Sequence, residues 1–187
     1  VVSSLGGFVK PGRKTRMKDF KDKVAVVTGA GSGLGRALAS QLHREGAHLA
    51  LLDINPVTLE ETAHLLKDQP NRVSLHPVDV GSAEQMKQAA LAALDRHERV
   101  DLLINNAGIV RAWAKFEDVP EDHFVEIIRV NLWGVYNGIR VFLPHLKRRP
   151  QSSIVNISSL AGLLALRGCS PYVISKFAVR GLSEALQ

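Results

Sequence analysis

Two textures alternate along the chain. Short apolar runs, "KVAVVTG", "AHLALLDI", "RVSLHPVDV", "RVDLLINNAG" and "SSIVNISS", read as strands buried on both faces. Between the first four lie stretches with apolar residues at helical spacing. "GLGRALASQLHREG" ends at Gly46, "NPVTLEETAHLLKDQ" carries Pro56 near its start, and "SAEQMKQAALAALDRHE" follows. The stretch "PEDHFVEIIRVNLWGVYNGIRVFLPHLKRR" reads as one long helix with Pro144 late in it. A last helix starts at Pro171, with Ser170 as its N-cap. Strands alternating with helices require a parallel sheet covered on both faces, so the pattern predicts a doubly wound α/β sheet. No internal repeat or low-complexity segment interrupts it.

Composition sets bounds on this picture. The 187 residues are 45% hydrophobic, enough for one well-filled core and too many for a disordered chain. No apolar run reaches the roughly 18 residues of a membrane span, and "VVSSLGG" is too short for the core of a signal peptide. The single Cys169 cannot form an internal disulfide, which suits a reducing, cytoplasmic setting. The net charge of +6 is unevenly placed: residues 1–23 hold seven Lys or Arg against Asp19 and Asp22. Residues 1–19 therefore read as a basic, solvated, mobile leader, with Met17 resembling an original start, and 20–187 as the folded domain. The body has no basic stripe interleaved with aromatics, so nucleic acid is not an expected partner.

Chemistry in such a sheet belongs at the C-terminal ends of the strands. There the first strand runs into "TGAGSGLG", Thr28 to Gly35. Glycines permit a tight turn and let the backbone approach a pyrophosphate, and the following helix directs free N–H groups and a positive dipole at that charge. Position 36 is Arg, so the spacing Gly29-x3-Gly33-x-Gly35 fits better than the common G-x-G-x-x-G/A. No Lys-Ser/Thr follows, against a nucleotide-hydrolysing P-loop. The second strand ends in Asp53, whose carboxylate could accept from both hydroxyls of an adenosine ribose and repel a 2′-phosphate, or could simply cap the helix after it. Ser32 and Ile54 are neutral, which favours NAD over NADP; Arg36 complicates this unless it points away. Near the end of the chain Tyr172 and Lys176, four apart, are neighbours on a helix face. By spacing alone they are either an acid–base pair or part of an amphipathic run. The seven His lack ligand spacing, so no metal is expected, and no G-x-S-x-G accompanies the serines. Asn156 begins a glycosylation sequon but lies in a buried strand.

Taken together, "TGAGSGLG", "NNAG" at 105–108, Asn131 in "RVNLWG", "NISS" at 156–159 and "YVISK" at 172–176 resemble the short-chain dehydrogenases/reductases, over residues 20 to 187. The resemblance implies a Rossmann-type fold with strand order 3-2-1-4-5. It implies an NAD(P)-dependent oxidoreductase of secondary alcohols or ketones, assembled as a homodimer or homotetramer. Tyr172 would be the general acid–base, since a nearby ammonium such as Lys176 favours a phenolate. Lys176 would also hold the nicotinamide ribose, Ser159 would donate to the substrate oxygen, and Asn131 would bind a water relaying protons from Lys176. Ser158 would point away. Cofactor contacts would come from Gly29, Ser32, Gly33, Leu34 and Gly35, from Asp53, from Asp79 and Val80 around the adenine, and from Asn106, Ala107 and Gly108 behind the adenosine ribose.

"LAGLLALRGC" would form a pocket wall, with Leu160, Leu163, Leu164 and Leu166 making it apolar; Arg167 could meet an acidic group or an exposed salt partner. A non-catalytic dinucleotide-binding or partner-binding protein of the same fold is the alternative reading. Family members usually continue through a sixth strand, a helical segment over the substrate and a seventh strand. The chain stops at Gln187 without them, which reads as an incomplete record and would leave the fifth strand an unpaired edge.

Overall fold

The computed structural model describes residues 2–4, 17, 19–68, 72–111 and 113–186. The first predicted strand is observed as β2, Val24–Thr28, every residue of it buried. A three-residue strand, β1 at Val2–Ser4, precedes it. Then follow α1 (Gly33–Arg44), β3 (His48–Asp53), α2 (Pro56–Leu65), β4 (Val73–Pro77), α3 (Ala83–His97) and β5 (Leu102–Asn105). The chain closes with α4 (Glu121–Ile128), α5 (Gly134–Leu146), β6 (Ser153–Asn156) and α6 (Ser170–Ala185).

Strands β2 to β6 are parallel and lie side by side as β4-β3-β2-β5-β6, which is the expected 3-2-1-4-5 order when counted from β2. The edge expected to be bare is covered: β1 pairs antiparallel with β6, Val2 opposite Val155 and Ser4 opposite Ser153. The rest of the basic leader up to Arg16 lies outside the described residues.

Alternation along the strands divides the core in two, because successive side chains leave opposite faces of a strand. Val24 and Val26 pack with Leu103, Ile154 and the inner faces of α3, α5 and α6, where Met86, Phe142 and Val179 are buried. Ala25 and Val27 pack on the other face with Leu51, Ile104, and Ala39, Leu42 and Leu59 of α1 and α2. Below the sheet the fully buried Asp101 closes the N-terminal end: its carboxylate accepts from Val24 N–H at 3.0 Å and from Arg149 Nε at 2.7 Å.

Two helical expectations are corrected. The long helix is interrupted by a π-helical turn at Arg129–Trp133, so α4 and α5 are two pieces of one rod with Asn131 at the joint. The last helix begins one residue early, capped by Cys169, so Ser170 is already helical and its hydroxyl bonds nothing. Among the described residues no helix is long and apolar enough to cross a membrane.

Candidate functional site

The C-terminal ends of the parallel strands open into a cleft of about 460 Å³. Its floor is the turn between β2 and α1. Gly29 has φ +66, and a Cβ there would stand 2.9 Å from Ala107 Cα. A Cβ on Gly35 would lie 2.0 Å from the Gly29 carbonyl oxygen, so only glycine lets the start of α1 press onto this turn. Gly29, Ser32, Gly33 and Leu34 line the cleft, and Gly35 sits beneath it. No acidic residue stands in the first turn of α1, so no side chain of that turn opposes an anion at its positive end.

The turn is tied to the next wall by Thr28, which the sequence reading did not single out. Its hydroxyl oxygen accepts from Asn106 N–H at 2.9 Å and from Ala107 N–H at 3.0 Å, while Asn106 Nδ2 donates to the carbonyls of Thr28 and Gly29. Asn106, Ala107 and Gly108 all line the cleft.

Asp53 faces the glycine turn. One carboxylate oxygen accepts from Gly31 N–H at 2.8 Å and the other from Asn55 N–H at 3.0 Å. The cap of α2 is Asn55, whose side chain accepts from Val57 and Thr58, so Asp53 is not the helix cap. Arg36 is drawn away from the cleft: it donates to the carbonyls of Gly31 and Thr58 and to Thr62 and Glu61. Asp79 and Val80 line the opposite side, just past β4. Asp79 accepts from Gly81 N–H at 2.9 Å and from Arg129 at 2.5 Å. Arg129, Glu126 and Ile109 are further cleft residues that sequence reasoning missed; they come from the helical joint, the end of α4 and the loop after β5, where "RVNLWG" and "NNAG" drew attention to Asn131 and to residues 106–108 instead.

Next to the cleft wall the elements that carry Asn131 and Ser159 pack against α6, which carries Tyr172 and Lys176. Lys176 is 5% exposed; its Nζ donates to Ile157 O at 3.0 Å and lies 5.5 Å from the centre of the Tyr172 ring. Burial lowers its pKa from 10.5 to about 8. A Cβ on Gly108 would stand 3.2 Å from Asn131 Oδ1 and 3.5 Å from Lys176 Nζ, which brings both beside the cleft wall. The Asn131 amide is already committed: Oδ1 accepts from Ile109 N–H, and Nδ2 donates to Ile109 O and Ser175 Oγ. Ser159 Oγ accepts from Ala161 N–H at 3.1 Å, which leaves its own proton to give. Ser158 instead donates to Lys176 O. Leu160, Leu163 and Leu164 stay exposed beyond Ser159, forming an apolar surface. Asn156 is buried and bonded to Ser183. Among the described residues no group of three His, Cys, Asp or Glu could hold a metal ion.

Comparisons with known proteins follow the same outline. Residues 23–187 match the family described as short chain dehydrogenase. A Mycobacterium tuberculosis protein named as an oxidoreductase, SadH, is 44% identical over 172 residues, which are 91% of this chain and 62% of the relative. A Burkholderia phymatum short-chain dehydrogenase/reductase solved in complex with NAD superposes with a TM-score of 0.86 at 37% identity, covering 91% of this chain and 60% of that one. Carveol dehydrogenase from Mycobacterium avium, also in complex with NAD, gives 0.84 at 32% identity, over 89% and 65%. The chain thus spans less than two thirds of the length of these proteins.

Proposed function

Because the chain belongs to the short-chain dehydrogenase family, we propose that it moves a hydride between NAD(H) and a secondary alcohol or ketone of apolar character. The observation that carries this reading is one juxtaposition. Lys176 stands beside Gly108, at the wall of a cleft floored by the Gly29–Gly35 turn and bordered by Asp53, and Tyr172, one helical turn before it, lines the small cavity next door.

The residues fit a dinucleotide. The missing side chains at Gly29 and Gly35 bring backbone N–H groups and the start of α1 within reach of a pyrophosphate. Asp53 has lone pairs left for ribose hydroxyls and would repel a 2′-phosphate, while Arg36 is spent on α2 and Arg129 on Asp79. The bound cofactor would supply the hydride donor or acceptor. In the reducing direction Tyr172 Oη gives a proton to the substrate oxygen, and Ser159 Oγ donates a hydrogen bond to the same atom as charge develops there. Lys176 holds the nicotinamide ribose and restores the proton. Asn131 fixes the Ile109 backbone, and with it the Gly108 edge along which a relay water from Lys176 would sit. Leu160, Leu163 and Leu164 offer the substrate an apolar wall.

Replacing Tyr172 by Phe keeps the ring and removes the proton. Turnover of a ketone and alcohol panel should fall about 10²–10⁴-fold while NADH affinity stays close to wild type. A loss below tenfold would count against the assignment. Val125, Trp133, Tyr136, Ile174 and Phe177 leave the outer face of α4, α5 and α6 apolar and exposed, which supports a homodimer or homotetramer. Light scattering that returns a monomer at micromolar concentration would remove that part of the reading.

A further inference from the structure

A second, smaller cavity lies behind the catalytic Tyr172. It measures about 150 Å³ and lies between α4, the start of α6 and the segment after β5, lined among others by Ala114, Val119, Ile127, Cys169, Pro171 and Tyr172. It adjoins the large cleft: Glu126 lines the cleft, its neighbour Ile127 lines the small cavity, and the Arg111–Glu126 ion pair stands between them. The same pairing neutralises Arg111, so the mouth carries little net charge. The roof is fastened, since Ala114 N–H donates to Gly168 O at 2.8 Å. A Cβ on Gly168 would lie 3.1 Å from Trp113 Cε3, so the indole rests directly against that glycine. Cys169 is 5% exposed and burial raises its thiol pKa, so it faces the cavity as a small neutral group. Apart from His123, the paired Arg111 and Tyr172 the lining is apolar or a thiol, so water finds few partners, and an apolar cavity of about 150 Å³ in another protein is known to take one benzene ring.

We propose that this cavity is a substrate subsite for a single ring, or a branched apolar group of equal size, attached next to the carbon whose oxygen Tyr172 serves. The assignment rests on the reading of Tyr172 given above. It follows that the enzyme prefers a ketone with one six-membered ring over a short linear one, and that filling the cavity erases the preference. A hydrophobic pocket distinguishes groups differing by a methylene by about 10–200-fold, so a whole ring should be read clearly.

The test compares cyclohexyl methyl ketone with butanone, using NADH and the intact protein. Wild type should favour the ring ketone by more than tenfold in kcat/KM. Ala114→Leu, which pushes three carbons into the cavity, should cut that ratio at least tenfold, and Val119→Ala, which widens it, should keep the preference. Binding of cyclohexyl methyl ketone is followed in parallel by saturation-transfer NMR without cofactor. Ring binding that Ala114→Leu abolishes, in a protein that reduces neither ketone, would show that the cavity takes a ring but overturn its role as a substrate subsite together with the redox reading. Reduction of butanone with no binding of the ring ketone, or a ratio within threefold in all three proteins, would overturn the subsite and leave the redox reading standing.

Discussion

Single residues carried most of the legible chemistry. Asp53 could be placed because strand alternation and a helix start fix where a strand ends, and its partners in the structure, Gly31 and Asn55, leave it facing the cleft. Thr28 and Arg129 could not be placed, since their partners lie 78 and 50 residues away and no local pattern announces such a distance. Two expectations follow at this scale. Asp53→Ala combined with Ile54→Arg should erode or reverse the preference for NADH over NADPH in a cofactor titration; an unchanged ratio would speak against Asp53 as the selector. Lys176 makes the second case. Its folded pKa of about 8 lies below the 10.5 of the free side chain, so the wild type is penalised wherever the buried amine must carry charge. At pH 7 that penalty is about 3 kcal/mol, set against about 1 kcal/mol for the bond to Ile157 O. Lys176→Met should therefore stabilise the cofactor-free protein while abolishing turnover. The gain should be full below pH 8 and shrink as pH rises toward 10.5. Urea denaturation at pH 7 and pH 9.5 reads the difference; a gain that does not narrow would contradict the burial account.

At the scale of elements, helices and strands followed from periodicity, and the exceptions have physical reasons. A π-helical turn adds one residue to a rod without breaking its apolar stripe, so "EIIRVNLWGVYN" still reads as one helix. β1 has three residues and no alternation long enough to register. Ser170 looked like a cap by type, yet the Cys169 carbonyl accepts from Val173 N–H, so the helix is already under way one residue earlier. The π turn has a use that the continuous helix would lack. It sets Arg129 against Asp79 and over Gly81, where a Cβ would lie 2.3 Å from the guanidinium. If the adenine lies against Asp79, this ion pair positions the wall that receives it. Arg129→Leu should then weaken NADH binding about tenfold, the order of a lost charged hydrogen bond. Reduced nicotinamide mononucleotide, which has no adenine, should bind within twofold of wild type. Equal weakening of both ligands would mean that Arg129 merely supports the fold.

For the molecule as a whole, the alternating pattern made a parallel sheet readable, while the order of its strands came from the family resemblance. What the sequence concealed is a polar chain inside that sheet. The ring nitrogens Nε2 of His97 and His76 both meet Ser74 Oγ, at 2.7 and 2.8 Å, and a hydroxyl can give only one proton. A ring that accepts this proton does so at a bare nitrogen and is neutral, while a ring that donates its N–H to the oxygen need not be. Seven scattered histidines gave no hint of this, because His76 sits on β4 and His97 ends α3. Burial, followed by the charge of Arg96, pushes His97 down to about 4, and burial lowers His76 in the same direction. In the unfolded chain both titrate near 6.5. The folded state thus binds fewer protons between those values, and stability falls as pH drops from about 6.5 toward 4. His97 alone accounts for about 3 kcal/mol of that loss, a large share of the 5–15 kcal/mol typical of a domain. His97→Gln keeps a hydrogen-bonding group for Ser74 but cannot be protonated there. Urea titrations at pH 7.0, 5.5 and 4.5 should show the variant starting less stable than wild type and closing the gap as acid is added. Parallel losses in the two proteins would show that the histidine chain does not govern the acid limb, and that the carboxylates do.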